Sequence, residues 1–221
     1  MSGAWETEPS VFVYCLHVDT VTFNWAAGIR RLQIPGPFKE VVGLTGMPYD
    51  MGRNTACQRG LELGADYVMS VDSDVIPPPD TIYRLIRHNL PFVSGMYCRR
   101  SPPHAVPVMM VNNAWVTNFV PNSLVEVDLV GAGCLLLRRD FLESIPPQRP
   151  EQGKHWFDWR VDQKSIPGIK LPPLSEDFTL CVHAKNYGIK TFVDTSIKCL
   201  HVGYAEASLG QFLPLGSTPM P

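Results

Sequence analysis

Long hydrophobic runs, close cysteine pairs and a strong excess of either charge are all missing from this chain of 221 residues. Its apolar stretches are strand-sized, far below the roughly 20 residues a membrane helix needs, so no stable membrane insertion is expected. The opening "MSGAWETEPS" carries neither the basic nor the apolar block of a secretory leader, and none is expected. Six cysteines occur, at 15, 57, 98, 134, 181 and 199, but no two are close and most sit inside apolar runs. That spacing gives no disulfide framework; it suits small core residues of a reduced, cytoplasmic protein. The net charge of -2 and the pI near 6.3 give no general attraction to nucleic acid. The basic pairs Arg30-Arg31, Arg99-Arg100 and Arg138-Arg139 are short and read as solvated.

Proline, in contrast, is plentiful. Its 21 copies gather in "IPPPD", "SPPHAVP", "SIPPQRP", "LPPL" and the tail "LPLGSTPMP", where they mark loops. A composition 45% hydrophobic and 18% charged is that of a globular protein. The length favours one large α/β domain over two small ones.

The first half alternates strand-like and helix-like segments. "VFVYCLHV" (Val11–Val18), "KEVVGLT", "YVMSV" and "FVSGMY" are β-rich. Between them, "VTFNWAAGIRRL", "MGRNTACQRGLEL" and the segment after Asp80 have helical spacing, with Gly64 placed to close the second helix. Such β-α-β-α-β-α-β alternation is the pattern of a parallel sheet covered by helices. In the second half, "AVPVMMV", "AWVTNFV", "LVEVDLV" and "GCLLLRR" are strands with short connections, which favours mixed or antiparallel pairing. "RDFLESI" reads as a short helix. "SEDFTLCVHAKNYG" reads as a longer one between Ser175 as N-cap and Gly188, and "IKTFVD" and "IKCLHVG" close as strands.

One segment has no folding explanation. In "ADYVMSVDSDVIPPPD" an apolar strand climbs to Asp72 and Asp74, and three prolines follow. Residues two apart on a strand share a side, so the two carboxylates converge while Ser73 faces away. In open α/β sheets ligands bind beyond the carboxyl ends of strands, which is where this pair falls. Two like charges so close resist ionising together unless a cation lies between them. Mg2+ or Mn2+ with oxygen ligands resolves the conflict, and a metal held by two side chains keeps room for substrate phosphates. The plainer alternative is a solvated turn with Asp capping local amides.

Five stretches together resemble the GT-A nucleotide-sugar glycosyltransferases, in particular their family 2-like inverting branch: "GRNTACQRGLELGADYVMSVDSDVIPPPDTIYRLI", "FVSGMYCRR", "VGAGCLLLRRDFLE", "SEDFTLCVHAKNYGIKTFVD" and "CLHVG". The resemblance spans roughly Val11 to Gly203. It implies a single GT-A-like α/β domain over residues 1–210, with a Rossmann-like parallel N-terminal sheet that continues into a mixed or antiparallel half. Residues 11–100 would form the nucleotide-sugar-binding half, 101–205 the acceptor and catalytic half, and 211–221 a flexible proline-rich tail.

It also implies roles. Asp72 and Asp74 would hold the metal and the diphosphate, with His201 completing the cation's shell and Ser73 counted in the nucleotide-sugar set. Arg53 and Asn54, at a helix start, would contact the diphosphate or base. His17 and Asp19 stand at the first strand's end, where the family usually reads Pro-Thr-Tyr, and are the further candidates for nucleotide contact. Asp177 would be the general base, with Glu176 the less favoured carboxylate, although Ser-Glu-Asp is also a good helix start in its own right. Gly131, Ala132 and Gly133 would let an acceptor approach the backbone, unless the glycines mark a β-bulge. Trp156, Phe157 and Trp159 could stack on a sugar, the first two being the acceptor-binding candidates, or could cover the core edge. The implied activity is metal-dependent transfer of a sugar from a UDP- or GDP-type donor to an acceptor hydroxyl, with inversion. Donor sugar and acceptor stay open. A sugar-phosphate nucleotidyltransferase is the rival enzyme, since "WAAGIRRLQIPGPFK" superficially resembles a glycine-rich phosphate loop. A non-catalytic nucleotide-sugar-binding module is the rival outside enzymes.

Overall fold

Strands buried on both faces build the centre of the molecule. The computed structural model describes residues 8–18, 20–100, 106–159 and 174–202. In chain order these form β1 (Val11–Leu16), α1 (Phe23–Ile29), β2 (Val41–Leu44), α2 (Tyr49–Glu62), β3 (Tyr67–Val71), β4 (Val75–Ile76), α3 (Thr81–Arg87) and β5 (Phe92–Met96). The second half forms β6 (Met109–Val111), β7 (Ala114–Trp115), β8 (Leu124–Val127), β9 (Leu129–Val130), β10 (Cys134–Arg138), α4 (Arg139–Ser144), α5 (Glu176–Asn186), β11 (Thr191–Lys198) and β12 (Leu200–His201). Phe12, Tyr14, Leu16, Val68, Leu135 and Leu137 point into one core, which includes side chains of α2, α4 and α5. Their strand neighbours Val11, Val13, Tyr67, Met69, Val71 and Leu136 point into a second core on the other face, closed by Ile82, Leu85 and Ile86 of α3. The period of two that feeds both faces is what a sheet sandwiched by helices requires.

Seven strands form the central sheet in the order β2-β1-β3-β10-β5-β11-β8. β1 runs parallel to β2 and β3, and β5 parallel to β11, while β10 is antiparallel to both β3 and β5 and β8 is antiparallel to β11. The fold is therefore mixed α/β, Rossmann-like, with a large and mostly parallel central sheet to which both halves of the chain contribute. The alternation in the first half correctly suggests parallel strands. It does not show that β10 inserts between β3 and β5. "CLLLR" suits that central place because its first four residues are all buried.

Several local expectations shift. "LVEVDLV" divides at Asp128, sending β8 to the main sheet and β9 to a small β7-β6-β9 sheet. Of "AWVTNFV" only Ala114–Trp115 is strand. β11 takes both "TFVD" and the following "TSIK" without a break, and only Leu200–His201 leaves to pair with β4, His201 opposite Val75. Gly64 and Gly188 adopt left-handed φ of 76° and 74° just past α2 and α5, which is the reason for glycine at both positions. Among the described residues no helix is long and apolar enough to cross a membrane, and all six cysteines are buried free thiols. Asp19, His104 and the tail 211–221 lie outside the described residues.

Candidate active site

β3 ends at Val71 and the chain turns at once, the Val75 N–H donating to the Asp72 carbonyl at 3.0 Å. The carboxylates thus sit on a tight turn and not on an extended strand, and strand alternation is not what brings them together. The turn is clamped from three sides. The Trp25 indole donates to the Asp72 carbonyl (2.8 Å), the Asp72 N–H donates to the Gly133 carbonyl (3.1 Å), and the Val202 N–H donates to the Asp74 carbonyl (2.7 Å).

Asp72, Ser73 and Asp74 form one wall of a cleft of about 250 Å³, which Arg53, Arg100, Glu176, Asp177, Leu16, Tyr49 and Trp159 complete. The tripeptide Gly131–Gly133 ties its two acidic walls together. Gly133 holds the Asp72 N–H as above, and the Ala132 N–H donates to Asp177 Oδ2 at 3.2 Å. The other Asp177 oxygen accepts from the Phe178 N–H (2.8 Å) and from the Ser175 hydroxyl. Ser175 thus occupies the N-cap position of α5 without its side chain capping an amide.

Arg53 joins the two walls from beneath. Its side chain is 4% exposed; Nη2 meets Asp72 Oδ1 at 2.9 Å, Nε meets Glu176 Oε1 at 3.0 Å, and Nη1 donates to Ser70 Oγ at 2.6 Å. Helix α2 begins at Tyr49, so Arg53 and Asn54 lie in its second turn and not at its amide-rich start. The helix-start geometry expected for them is absent. Arg53 is instead an internal cross-link, packed over Phe157 with 5.9 Å between guanidinium carbon and ring centre. Asn54 is buried and bonded throughout: Nδ2 donates to Phe157 C=O (2.8 Å), and Oδ1 accepts from the N–H groups of Trp156 (2.9 Å) and Phe157 (3.1 Å).

Those bonds, with the Lys154–Asp50 pair, strap residues 148–158 onto α2, and the Arg149–Asp158 pair closes the segment on itself. Trp156 and Phe157 become core residues, 7% and 0% exposed, and of the three aromatics only Trp159 lines the cleft. Their expected place on an acceptor surface is therefore corrected: Asn54 pulls the backbone in, and the rings follow. The glycines are explained in the same way. A Cβ at Gly131 would lie 2.0 Å from the Tyr97 hydroxyl, and one at Gly133 2.8 Å from its Cζ. Tyr97, not an acceptor, occupies the space the missing side chains leave, and its hydroxyl accepts from the Gly133 N–H at 3.0 Å. His17 stays near β2, where a Cβ at Gly43 would lie 3.0 Å from its Nε2, and it does not line the cleft.

His201 does come to Asp74. Its Nδ1 is 2.6 Å from the Cys98 carbonyl, which can only accept, so that nitrogen carries the proton. Nε2 then faces Asp74 Oδ1 at 3.4 Å. A backbone carbonyl fixing the tautomer in this way is the usual support of a metal-binding imidazole. The donor chemistry of Asp74, Asp72 and His201 fits Mn2+ or Mg2+ with open positions, although among the described residues no three such side chains form a ready-made cluster. Arg100, read as solvated from the sequence, reaches Asp74 Oδ2 at 2.7 Å. Burial works to raise the Asp74 carboxyl, but His201, when its Nε2 as well as its Nδ1 carries a proton, and Arg100 outweigh it and hold it below the usual range.

Glu176 and Asp177 shift the other way. Burial, then the charge of Asp177, pushes Glu176 up to about 7 against the pull of Arg53. Burial also raises Asp177, opposed by Ser175 and Arg53. The folded protein therefore binds more protons than the unfolded chain between about pH 4.5 and 7. The stability gained from the protonated pair is complete below that window and is lost as pH rises through it. A shift of this size corresponds to about 3 kcal/mol. Denaturant titrations from about pH 5 to about pH 8 should show the parent losing stability relative to Glu176→Gln by that order. Parallel curves would mean that Glu176 is ionised throughout.

No protein-family model matches the chain, and no curated protein matches it. Among solved structures, A197 from STIV is similar over 88% of this chain and 86% of its own, at 16% identity and a TM-score of 0.60. CMP:2-keto-3-deoxy-manno-octonic acid synthetase complexed with CTP aligns over 83% of this chain and 88% of its own, at 12% identity and a TM-score of 0.43. Apo-UDP-glucose pyrophosphorylase aligns over 87% of this chain and 76% of its own, at 7% identity and a TM-score of 0.41. What the chain shares with A197 from STIV is its fold, a mixed α/β sheet with helices on both faces.

Proposed function

We propose that the protein is a metal-dependent glycosyltransferase that moves a sugar from a nucleotide-diphosphate donor to an acceptor hydroxyl with inversion. The observation that supports this best is the shared cleft: Asp72 and Asp74 face Asp177 across it, and Gly131–Gly133 tie both walls. Asp72, Asp74 and His201 would hold Mn2+ or Mg2+, which supplies charge neutralisation for a departing diphosphate. Asp177 takes the proton of the acceptor hydroxyl as its oxygen bonds to the anomeric carbon. The bond from that carbon to the diphosphate breaks in the same displacement, and its electron pair leaves with the diphosphate. A carboxylate raised by burial is the better base for this, because its pKa approaches the working pH. Glu176, seated on Arg53, positions the pair.

One observation bears on the rival enzyme. The segment that resembles a phosphate loop opens inside helix α1, and a Cβ at its Gly28 would lie 2.3 Å from Ile76 Cγ2. Packing accounts for that glycine, which weakens the nucleotidyltransferase reading. A panel of UDP- and GDP-sugars with Mn2+ or Mg2+, read as released nucleoside diphosphate, is the direct test. Turnover of a nucleoside triphosphate with a sugar phosphate, and none of the nucleotide sugars, would favour the rival enzyme. Binding without turnover would favour a non-catalytic module.

Calorimetry tests the cation separately. Asp74→Ala should remove the metal-dependent gain in nucleoside diphosphate affinity, by at least about tenfold, the scale even of partners beyond a metal's direct ligands. His201→Ala should cost less, since the carboxylates carry the charge. An Asp74→Ala protein that still tightens with metal as the parent does would move the cation site elsewhere.

A further inference from the structure

The cleft holds two guanidinium groups, one committed to protein partners and one half-exposed and able to move. Arg53 is buried, with Nε, Nη1 and Nη2 committed to Glu176, Ser70 and Asp72. Arg100 is 57% exposed on its side chain and meets the cleft through Asp74 Oδ2 at 2.7 Å. Its anchor is firm. The preceding Arg99 lies over Trp115 with 4.9 Å to the ring centre, and Cys98 pairs with Pro107 while its carbonyl holds His201. Asp74 therefore has His201 on one oxygen and Arg100 on the other.

We propose that Arg100 is an exchangeable cation: it neutralises Asp74 in the empty cleft and moves to a phosphate oxygen when a metal-bound diphosphate enters. The inference rests on the reading of the cleft as a metal–diphosphate site, and it adds how the site loads. A divalent cation on Asp74 and a guanidinium already paired with the same carboxylate repel one another. Arg100 must yield, and a half-exposed single ion pair yields easily because it contributes little. The diphosphate offers the released guanidinium a better partner, since its planar fork matches phosphate oxygens. Cation alone is thus opposed by Arg100, and cation with diphosphate is favoured by it. The two ligands bind cooperatively, with Arg100 as the coupling element.

The test uses calorimetry of the full chain with Mn2+ alone and with Mn2+ plus inorganic pyrophosphate, for the parent, Arg100→Ala and Arg100→Lys. Chelation in solution is the same for all three and drops out of the comparison. Removing Arg100 should tighten Mn2+ alone by roughly two- to fivefold, the reach of an exposed ion pair. It should loosen Mn2+–pyrophosphate by about ten- to hundredfold, the worth of charged hydrogen bonds. Arg100→Lys keeps the charge without the fork, so it should hold Mn2+ as the parent does and bind pyrophosphate between the other two. Opposite signs in the two arms support the exchange. Unchanged affinities in Arg100→Ala overturn it while leaving the metal–diphosphate site intact. Loosening in both arms also overturns it, because Arg100 would then only hold Asp74 in place. A parent that binds neither probe overturns the cleft reading itself, and the exchange with it. Thermal unfolding of each variant guards against loss of fold, which the exposure of Arg100 makes unexpected.

Discussion

Arg53→Met should cost the fold about 3–5 kcal/mol, the usual result of removing one member of a buried ion-pair network. The loss comes less from the bonds than from what is left behind. Glu176 stays buried and Asp72 partly so, and both lose the cation that they face at about 3 Å. For a chain of this length the midpoint of thermal unfolding should fall on the order of 10 °C. The loss should depend on pH in a definite direction. A buried carboxyl without its cation takes up a proton instead of bearing an unpaired charge. Glu176 is already raised, so the cost should be smaller near pH 5 than near pH 8. Adding Glu176→Gln to Arg53→Met should recover part of it by the same reasoning. Arg53→Lys should fall between parent and Met, since an ammonium cannot serve Glu176, Ser70 and Asp72 from one planar group. Denaturant titration at two pH values measures all of this. An unchanged midpoint in Arg53→Met would show that the cross-link contributes no stability.

That role was not legible in "GRNTA". The sequence places Arg53 and Asn54 on a helix correctly, but the helix starts earlier, at Tyr49 after Pro48, and carries both residues under the sheet ends. Local pattern reports burial period and punctuation well. It marked the strands at Val11–Leu16, Tyr67–Val71, Phe92–Met96 and Cys134–Arg138 and the closing glycines 64 and 188. Strand order is different in kind. Nothing local to "CLLLR" says that it lies between β3 and β5, because that position is set by which edges remain open after the first half folds.

The candidate cleft was legible in its acids and less so in everything around them. Asp72, Asp74, Glu176 and Asp177 stand out as two acidic pairs at element ends, each with a local capping or turn reading as well, and all four line one cleft. The turn at 72–74 was the plainer alternative in the sequence, and the strand that leads into it favoured the extended reading. Glycines 131 and 133 were ambiguous because a close approach looks the same in sequence whether the visitor is a ligand or Tyr97. Trp156 and Phe157 were misjudged because their loop is polar and proline-flanked, while the anchor that buries them, Asn54, is about a hundred residues away. Arg100 carried the weakest signal of all. A basic pair beside a proline-rich loop looks like solvated surface until the partner carboxylate is in view.

Asp177→Asn should lower turnover by roughly two to four orders of magnitude, the scale of losing general-base help. The structure also says what the substitution does to the fold. The Asn carbonyl oxygen can keep the place of Oδ1, accepting from the Phe178 N–H at 2.8 Å and from Ser175. Its NH2 then faces the Ala132 N–H, so the 3.2 Å bond made by Oδ2 is lost. Leaving that buried N–H without an acceptor costs about 1–3 kcal/mol. Set against it is relief of the charge that burial penalises in Asp177. The two effects oppose one another and the net change in stability should be small, which makes this variant a test of chemistry. Nucleoside diphosphate binding with metal should persist, because Asp72, Asp74 and His201 are untouched. Product from the parent should carry the anomeric configuration opposite to the donor's, as one displacement with one base requires. Retained configuration, or parental turnover in the Asn variant, would sink the assignment. Asp177 would then be explained by its bonds alone, as a first-turn residue of α5 that holds Gly131–Gly133 against it.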